Sequence, residues 1–219
     1  MAGGGWACVL PADERGCLVK ACIVVDIETT GLPNKPYGWG PRIVEIGAVV
    51  VTDSGEVADT FEAIVQQDRE HLTDQRAAFA MGMSDLTPDL IVADGRAADR
   101  LAIRFACWLG AMAERHGAKE IRAFNQSFDF GFLTVSPWNI QATGLRQGED
   151  IMTAAQDIMG PAGALPKWSS GEYKWPKSSE AAAFFRVEHQ GTQHRALPDA
   201  VTEARVAVAI ERRRTQSEE

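Results

Sequence analysis

Four carboxylates and one imidazole carry the chemistry that this sequence offers. Asp26 and Glu28 stand two residues apart where the apolar run from Ala21 to Ile27 gives out. On a strand that spacing turns both side chains to one face, and strand ends are where open α/β sheets hold ligands. Paired carboxylates suit a hard divalent cation such as magnesium. Asp129 closes the segment Asn125-Gln126-Ser127-Phe128-Asp129, and His194 and Asp199 lie within His194-Arg195-Ala196-Leu197-Pro198-Asp199-Ala200. Each alone has a plainer explanation: a solvated strand end, a capping aspartate, a surface histidine. Brought together, four ionised acids carry about −4, and their repulsion raises some of their pKa values. Two Mg²⁺ ions bring +4 and relieve it. Two such metals ~3.5–4 Å apart activate a water and stabilise the leaving oxygen of an in-line phosphoryl displacement. His194, with an unperturbed pKa of ~6.5, is suited to take that water's proton. The reaction implied is metal-assisted phosphodiester hydrolysis.

The elements that must position these groups follow from periodicity. Residues 21–27 form a short, β-branched apolar run, the pattern of a buried central strand. The loop 33–41 carries Pro33, Pro36, Gly38, Gly40 and Pro41. Strands are expected over Ile43 to Val51 and Val57 to Val65, joined at Asp53-Ser54-Gly55 as an antiparallel hairpin. Residues 66–95 read as loops with one short helix. From Arg96 to His116 apolar residues recur at three and four, an amphipathic helix with Gly117 at the capping position. Its apolar stripe serves either the core or a homodimer face. A short strand over Ile121 to Phe124 precedes a helix from about Ser127, with Asp129 in its first turn, where the positive helix end favours a carboxylate. Further helices are expected over 150–159, 178–187 and 198–213, the last with Pro198 as its first residue and Asp199 in its first turn. Residues 160–177 form a loop. Three strands followed by alternating helices and short strands give an α/β domain with a mixed sheet.

Composition narrows the setting. The 219 residues fit one domain, given ~100–200 residues per domain. A net charge of −8 excludes broad electrostatic binding of nucleic acid, though not a local basic groove. No run approaches the ~18 apolar residues of a membrane span, so no membrane partner is expected. The first residues have no basic start with an apolar run behind it, unlike a signal peptide. Cys8, Cys17, Cys22 and Cys107 show no Cys-x-x-Cys pair and no zinc-site spacing. They read as free thiols in a reducing, cytoplasmic setting, with a Cys8–Cys17 disulfide as the alternative. Domain organisation is accordingly an irregular 1–20 segment, a catalytic domain over 21–213 and a tail over 214–219.

In order, Asp26-Ile27-Glu28-Thr29-Thr30-Gly31-Leu32, Asn125 through Asp129 and His194 through Ala200 resemble the three motifs of the DEDDh (DnaQ-like) 3′–5′ exonuclease family. The likeness extends over roughly residues 21–210. It implies a ribonuclease H-like fold, with a mixed sheet of three antiparallel strands then parallel strands, flanked by helices. It further implies two Mg²⁺ ions, with Mn²⁺ as substitute, and release of nucleoside 5′-monophosphates from a 3′ end. By the same resemblance Asp26, Glu28, Asp129 and Asp199 are the metal ligands and His194 the general base. The backbone of Thr29, Thr30, Gly31 and Leu32 holds the terminal nucleotide, with Leu32 wedged against its base. Phe124 departs from the histidine many relatives carry, and the 33–41 loop, with Tyr37 and Trp39, is longer than usual.

Substrate contacts are also sought in the 167–177 loop, where Lys167, Trp168, Lys174, Trp175 and Lys177 mix aromatic and basic groups as single-strand binders do. The alternative is that its tryptophans tuck onto the core. Lys174 and Lys177 are the basic candidates there, and Asn125, Phe128, Trp39 and Arg195 extend the set. DNA, single-stranded or frayed, is the leading substrate and RNA the alternative. A catalytically silent nucleic-acid-binding domain is the rival from another class, disfavoured because all four acids and His194 are present. The short stretch after the last helix favours a freestanding nuclease.

Overall fold

Residues 21–32, 42–73, 77, 85–189, 191 and 194–217 are described in a computed structural model of the chain. The expectations for residues 1–20, for the loop with Tyr37 and Trp39, and for Cys8 and Cys17 lie outside them. Strand β1 (Cys22–Thr29) is central, flanked by antiparallel β2 (Ile43–Val51) and parallel β4 (Glu120–Arg122). Strand β3 (Val57–Ile64) pairs antiparallel with β2, and β5 (Arg146–Gln147) pairs parallel with β4. The order β3-β2-β1-β4-β5 is the mixed sheet expected from the sequence. Helices α1 (Arg69–Leu72), α2 (Pro88–Asp94), α3 (Ala98–His116), α4 (Gln126–Leu133), α5 (Ile151–Met159), α6 (Ser178–Phe185) and α7 (Ala196–Ser217) complete it.

Alternation along β1 decides which helices face the acids. Ile23, Val25 and Ile27 enter one core layer with Leu101, Phe105, Leu109 and Met112 of α3. Val24 points to the other face, among Ala154 of α5, Ala181 of α6 and Ala200, Ala204 and Ala207 of α7. Side chains two apart share a face, so Asp26 and Glu28 follow Val24 to the α5–α6–α7 side. All nine residues of β2 are buried, because layers cover both faces. The α3 stripe is thus spent on the core, and Gly117 ends that helix at φ 66°, a left-handed conformation glycine adopts freely. Cys22 and Cys107 are free thiols. Among the described residues no helix is long and apolar enough to cross a membrane.

Several boundaries differ from expectation. β1 continues to Thr29, so Asp26 and Glu28 lie within the strand, kept there by pairing to Gly47 and Glu45. β4 stops at Arg122, short of Phe124. Among the described residues of the 66–95 stretch lie the short helices α1 and α2, the second begun by Pro88, with the Thr87 hydroxyl accepting from the Leu90 N–H. β5 consists of two exposed residues and leaves no apolar signature. α7 begins at Ala196, two residues before Pro198, because the Ala196 N–H is taken by Glu45 at 2.9 Å. It also runs on to Ser217, past the expected end at 213, and Arg214 is held by Glu149 at 2.6 Å rather than lying in a tail.

Candidate active site

The acids converge where three elements meet beside the C-terminal half of β1. Asp26 and Glu28 come from β1 itself. Asp129 stands in the first turn of α4 and is 2% exposed. Asp199 stands in the first turn of α7. That helix approaches β2 so closely that a Cβ on Gly47 would lie 2.2 Å from the Leu197 nitrogen. Glu45, fully buried on β2, accepts from the Arg195 Nε at 2.9 Å as well as from Ala196. Together they fix the start of α7 against the sheet.

The loop before α7 is built around Asp199. His194 has a left-handed backbone (φ 59°), and its N–H donates to Asp199 Oδ2 at 2.9 Å. The His189 Nε2 lies 2.6 Å from the other carboxylate oxygen. Donor atoms of Glu28, His194 and Asp199 all lie within 4.8 Å of one another, forming a partly exposed mouth.

Below that mouth lies a fifth acid. Glu203 sits four residues after Asp199, hence on the same helical face, and is 4% exposed. The Ser178 hydroxyl at the start of α6 and the Phe124 backbone N–H act on its carboxylate. Its Oε2 has no hydrogen-bond partner, and neither has Asp129 Oδ1.

Burial first, and repulsion between the acids after it, raises the proton affinity of Asp26, Glu28, Asp129 and Glu203. Burial pushes Asp26 well above the usual carboxylate range, and Glu203, Asp129, Glu28 and Asp199 add repulsion in that order. Glu28 rises to about 7, chiefly through burial and then Asp199 and Glu45, while Arg195 opposes the shift. Burial also raises Asp129, against hydrogen bonds from its own N–H and that of Ile27. Glu203 is raised by burial and then by Asp129 and Asp199. Buried, unpartnered carboxylate oxygens in an all-oxygen set are the donors that Mg²⁺ or Mn²⁺ takes, and they do not resemble a thiolate or imidazole zinc site. The residues present therefore fit divalent cations.

The remaining sequence candidates fall into place unevenly. The Thr29 hydroxyl donates to the Gly31 carbonyl at 2.8 Å. The Thr30 N–H donates to the Arg42 carbonyl at 2.9 Å, and its hydroxyl lies 3.0 Å from the His71 Nε2. This turn is thus tied down on its inner side while Leu32 stands 56% exposed. Asn125 takes a left-handed backbone, donates its N–H to Asp150 and accepts from the Ser127 hydroxyl. Phe128 is half-buried, its ring 5.5 Å from that of Phe132, so it serves packing. Lys174 is turned to Glu180 at 2.6 Å. Lys177 is exposed and immediately precedes Ser178. Trp168 and Trp175 stay about half exposed rather than tucking inward.

Three contributors escaped the sequence reading: Glu203, His189 and Glu45. Glu203 had one legible signal, its four-residue spacing from Asp199 on the face that carries Ala200, Ala204 and Ala207. Glu45 acts across a distance in the chain that no local pattern encodes, and His189, ten residues before Asp199, lies outside the His194–Ala200 motif.

No protein-family model matches the chain, and no curated protein sequence matches it. Solved structures do. The nuclease domain of 3′hExo, a DEDDh family member bound to rAMP, superposes with a TM-score of 0.61 at 17% identity, over 92% of this chain and 95% of that one. E. coli exonuclease I in complex with a dA16 oligonucleotide gives a TM-score of 0.66 at 16% identity, over 90% of this chain and 42% of that one. Exonuclease I from Methylocaldum szegediense gives 0.66 at 16%, over 90% and 41%. The chain thus spans less than half of either exonuclease I, and 63% of a 3′-exonuclease that recognises the 3′ end of a histone mRNA stem-loop. The shared fold is the ribonuclease H-like one, a mixed five-stranded sheet flanked by helices.

Proposed function

We propose that the chain is a metal-dependent 3′–5′ exonuclease that hydrolyses terminal phosphodiester bonds and releases nucleoside 5′-monophosphates. The observation that carries the proposal is the convergence of Asp26, Glu28, Asp129 and Asp199 on one side of β1, with His194 and Glu28 donor atoms within 4.8 Å of Asp199. Asp26, Glu28, Asp129 and Asp199 would hold two Mg²⁺ or Mn²⁺ ions. Bound divalent metal supplies a nucleophilic water near neutral pH and charge neutralisation at the scissile phosphate.

The chain's own groups do the rest. His194 is exposed beside Asp199 and takes the proton of the attacking water, as an imidazole near working pH does well. Asp199 is gripped on both oxygens, by the His194 N–H and by His189, so its carboxylate is oriented before substrate arrives. The tied turn from Thr29 to Gly31 receives the terminal nucleotide through its backbone, and exposed Leu32 presses on the base. Trp168, Trp175 and Lys177 offer stacking and charge further along the strand.

DNA is the leading substrate. RNA is the second reading, favoured because this chain matches nearly the whole of a nuclease domain seen with rAMP. The test uses 5′-labelled single-stranded DNA, RNA and recessed duplex with Mg²⁺, with and without chelator. A ladder that shortens from the 3′ end, vanishes with chelator and is lost in Asp26→Asn is expected. Intact substrates after incubation with folded, metal-supplied protein overturn the proposal, and the DNA-to-RNA rate ratio decides between polymers.

A further inference from the structure

We infer that Asp150 is a positioning residue for the reaction, a single carboxylate that caps the starts of α4 and α5 together and so holds Asp129 and Asn125 in place beside β1. The inference rests on the metal-dependent exonuclease reading above and adds to it a group that touches neither metal nor substrate.

The start of α4 is not capped by its own sequence. A helix leaves its first N–H groups without intrahelical acceptors, and the residue just before the first turn ordinarily offers them a side-chain oxygen. Asn125 holds that place but makes no such bond. Its backbone is left-handed at φ 59°, and its Oδ1 accepts instead from the Ser127 hydroxyl at 3.2 Å. The missing acceptor comes from 24 residues beyond Gln126. Asp150 Oδ2 takes the Gln126 N–H at 3.0 Å, and Asp150 Oδ1 takes the Asn125 N–H at 3.1 Å. Asp129 stands in the turn that these bonds begin.

Asp150 also caps its own helix, with Oδ1 accepting from the Met152 N–H at 2.8 Å. Next to it the Ile151 N–H donates to the Ala123 carbonyl at 3.1 Å, just past β4, which pairs with β1. Both helix starts are thereby tied to the strand that bears Asp26 and Glu28. Both Asp150 oxygens are committed to backbone donors, whereas Asp129 Oδ1 has no hydrogen-bond partner. For α5 alone a serine or an asparagine would cap as well, without a charge that repels Asp129. The second oxygen, spent on α4, is what accounts for an aspartate here.

The experiment compares the native full-length chain with Asp150→Ser, whose one shorter oxygen still serves the Met152 N–H but leaves the Gln126 N–H without an acceptor. Hydrogen exchange read by mass spectrometry should quicken at the start of α4 while α5 stays protected. Losing a group that orients a metal-ligating residue costs about 10- to 100-fold in metal affinity or activity. A fall of that order is expected in kcat on 5′-labelled single-stranded DNA or RNA, whichever the native chain digests faster, with KM nearly unchanged. Calorimetric titration of metal-free protein with Mn²⁺ should show one ion weakened within the same range, because Asp129 moves with α4. Asp150→Asn, which keeps the oxygen shared by Asn125 and Met152, should recover part of the rate, and it supplies the same readings should the serine variant not fold. Native kcat with native Mn²⁺ affinity in a folded variant, or a loss no larger than its unfolded fraction, overturns the inference and leaves the exonuclease reading standing. No digestion by the native chain overturns both.

Discussion

His194 occupies a backbone conformation that limits what can replace it. At φ 59° an alanine is strained, whereas asparagine enters the left-handed region readily. His194→Asn therefore removes the imidazole while preserving the N–H that holds Asp199 Oδ2. Since general-base catalysis contributes about 10²–10⁴-fold, turnover is expected to fall by about that factor. Metal affinity should stay near native, because the imidazole is assigned to the water. Single-turnover rates alongside Mn²⁺ titration check this, and an undiminished rate would reassign the base, with His189 the next to test. The five groups first picked out were legible because each lies in a short, self-contained motif. Glu203 offered only its four-residue spacing from Asp199, a weak signal because a glutamate inside a helix ordinarily faces solvent. Only the packing of Phe124 and Ser178 over it reveals otherwise.

At the scale of elements, α7 is positioned by contacts with β2 rather than by its own sequence. Pro198 marks a helix start in the sequence, yet the helix begins at Ala196 because Glu45, 151 residues away, takes that N–H. A contact of that span has no local signature. The same glutamate binds Arg195 and the Ala196 N–H, so Glu45→Ala leaves a partly buried guanidinium with only the longer contact to Glu62, at 3.6 Å, and frees the first turn of α7. Breaking a buried pair by removing one partner costs about 3–5 kcal/mol, and a loss of that order is expected in urea unfolding. Activity should drop further than the unfolded fraction accounts for, because Asp199 rides on the same turn. A variant with native midpoint and native rate would show that Gly47 and the apolar contacts alone suffice. Periodicity did reveal β2 and α3 to within two residues, since each presents a long apolar pattern. β5 is two exposed residues, and nothing short of the fold could disclose it.

For the whole molecule, the mixed character of the sheet was readable because an antiparallel hairpin is followed by alternating helices and strands, whereas the strand order was not. Nor was the number of acids that the fold buries together. Asp26, Asp129 and Glu203 are all raised well above their ordinary values, and Glu28 to about 7. A carboxyl whose folded pKa lies above its unfolded value keeps its proton longer in the native state. The native state then binds more protons than the unfolded one, so stability falls as pH rises. The fall begins near the unfolded values of ~4 and, for Glu28, is complete above about 7. Glu149 and Glu180 run the other way, lowered by Arg214 and Lys174, and their contribution fades only as pH falls below the ordinary glutamate range. Between pH 5.5 and 8.5 the buried acids should therefore set the trend. Metal-free protein is expected to melt at progressively lower temperature across that window. Asp129→Asn, which cannot ionise, should flatten the slope and raise the melting temperature at pH 8.5. Saturating Mg²⁺ or Mn²⁺ should reverse the order, because the cations bind the deprotonated site and stabilise the native state by about 2.7 kcal/mol at 100 times Kd. Calorimetric scans at both pH values, with chelator and with metal, read all of these together. A metal-free melting temperature that climbs toward pH 8.5 would mean that the acids do not share a common site in solution.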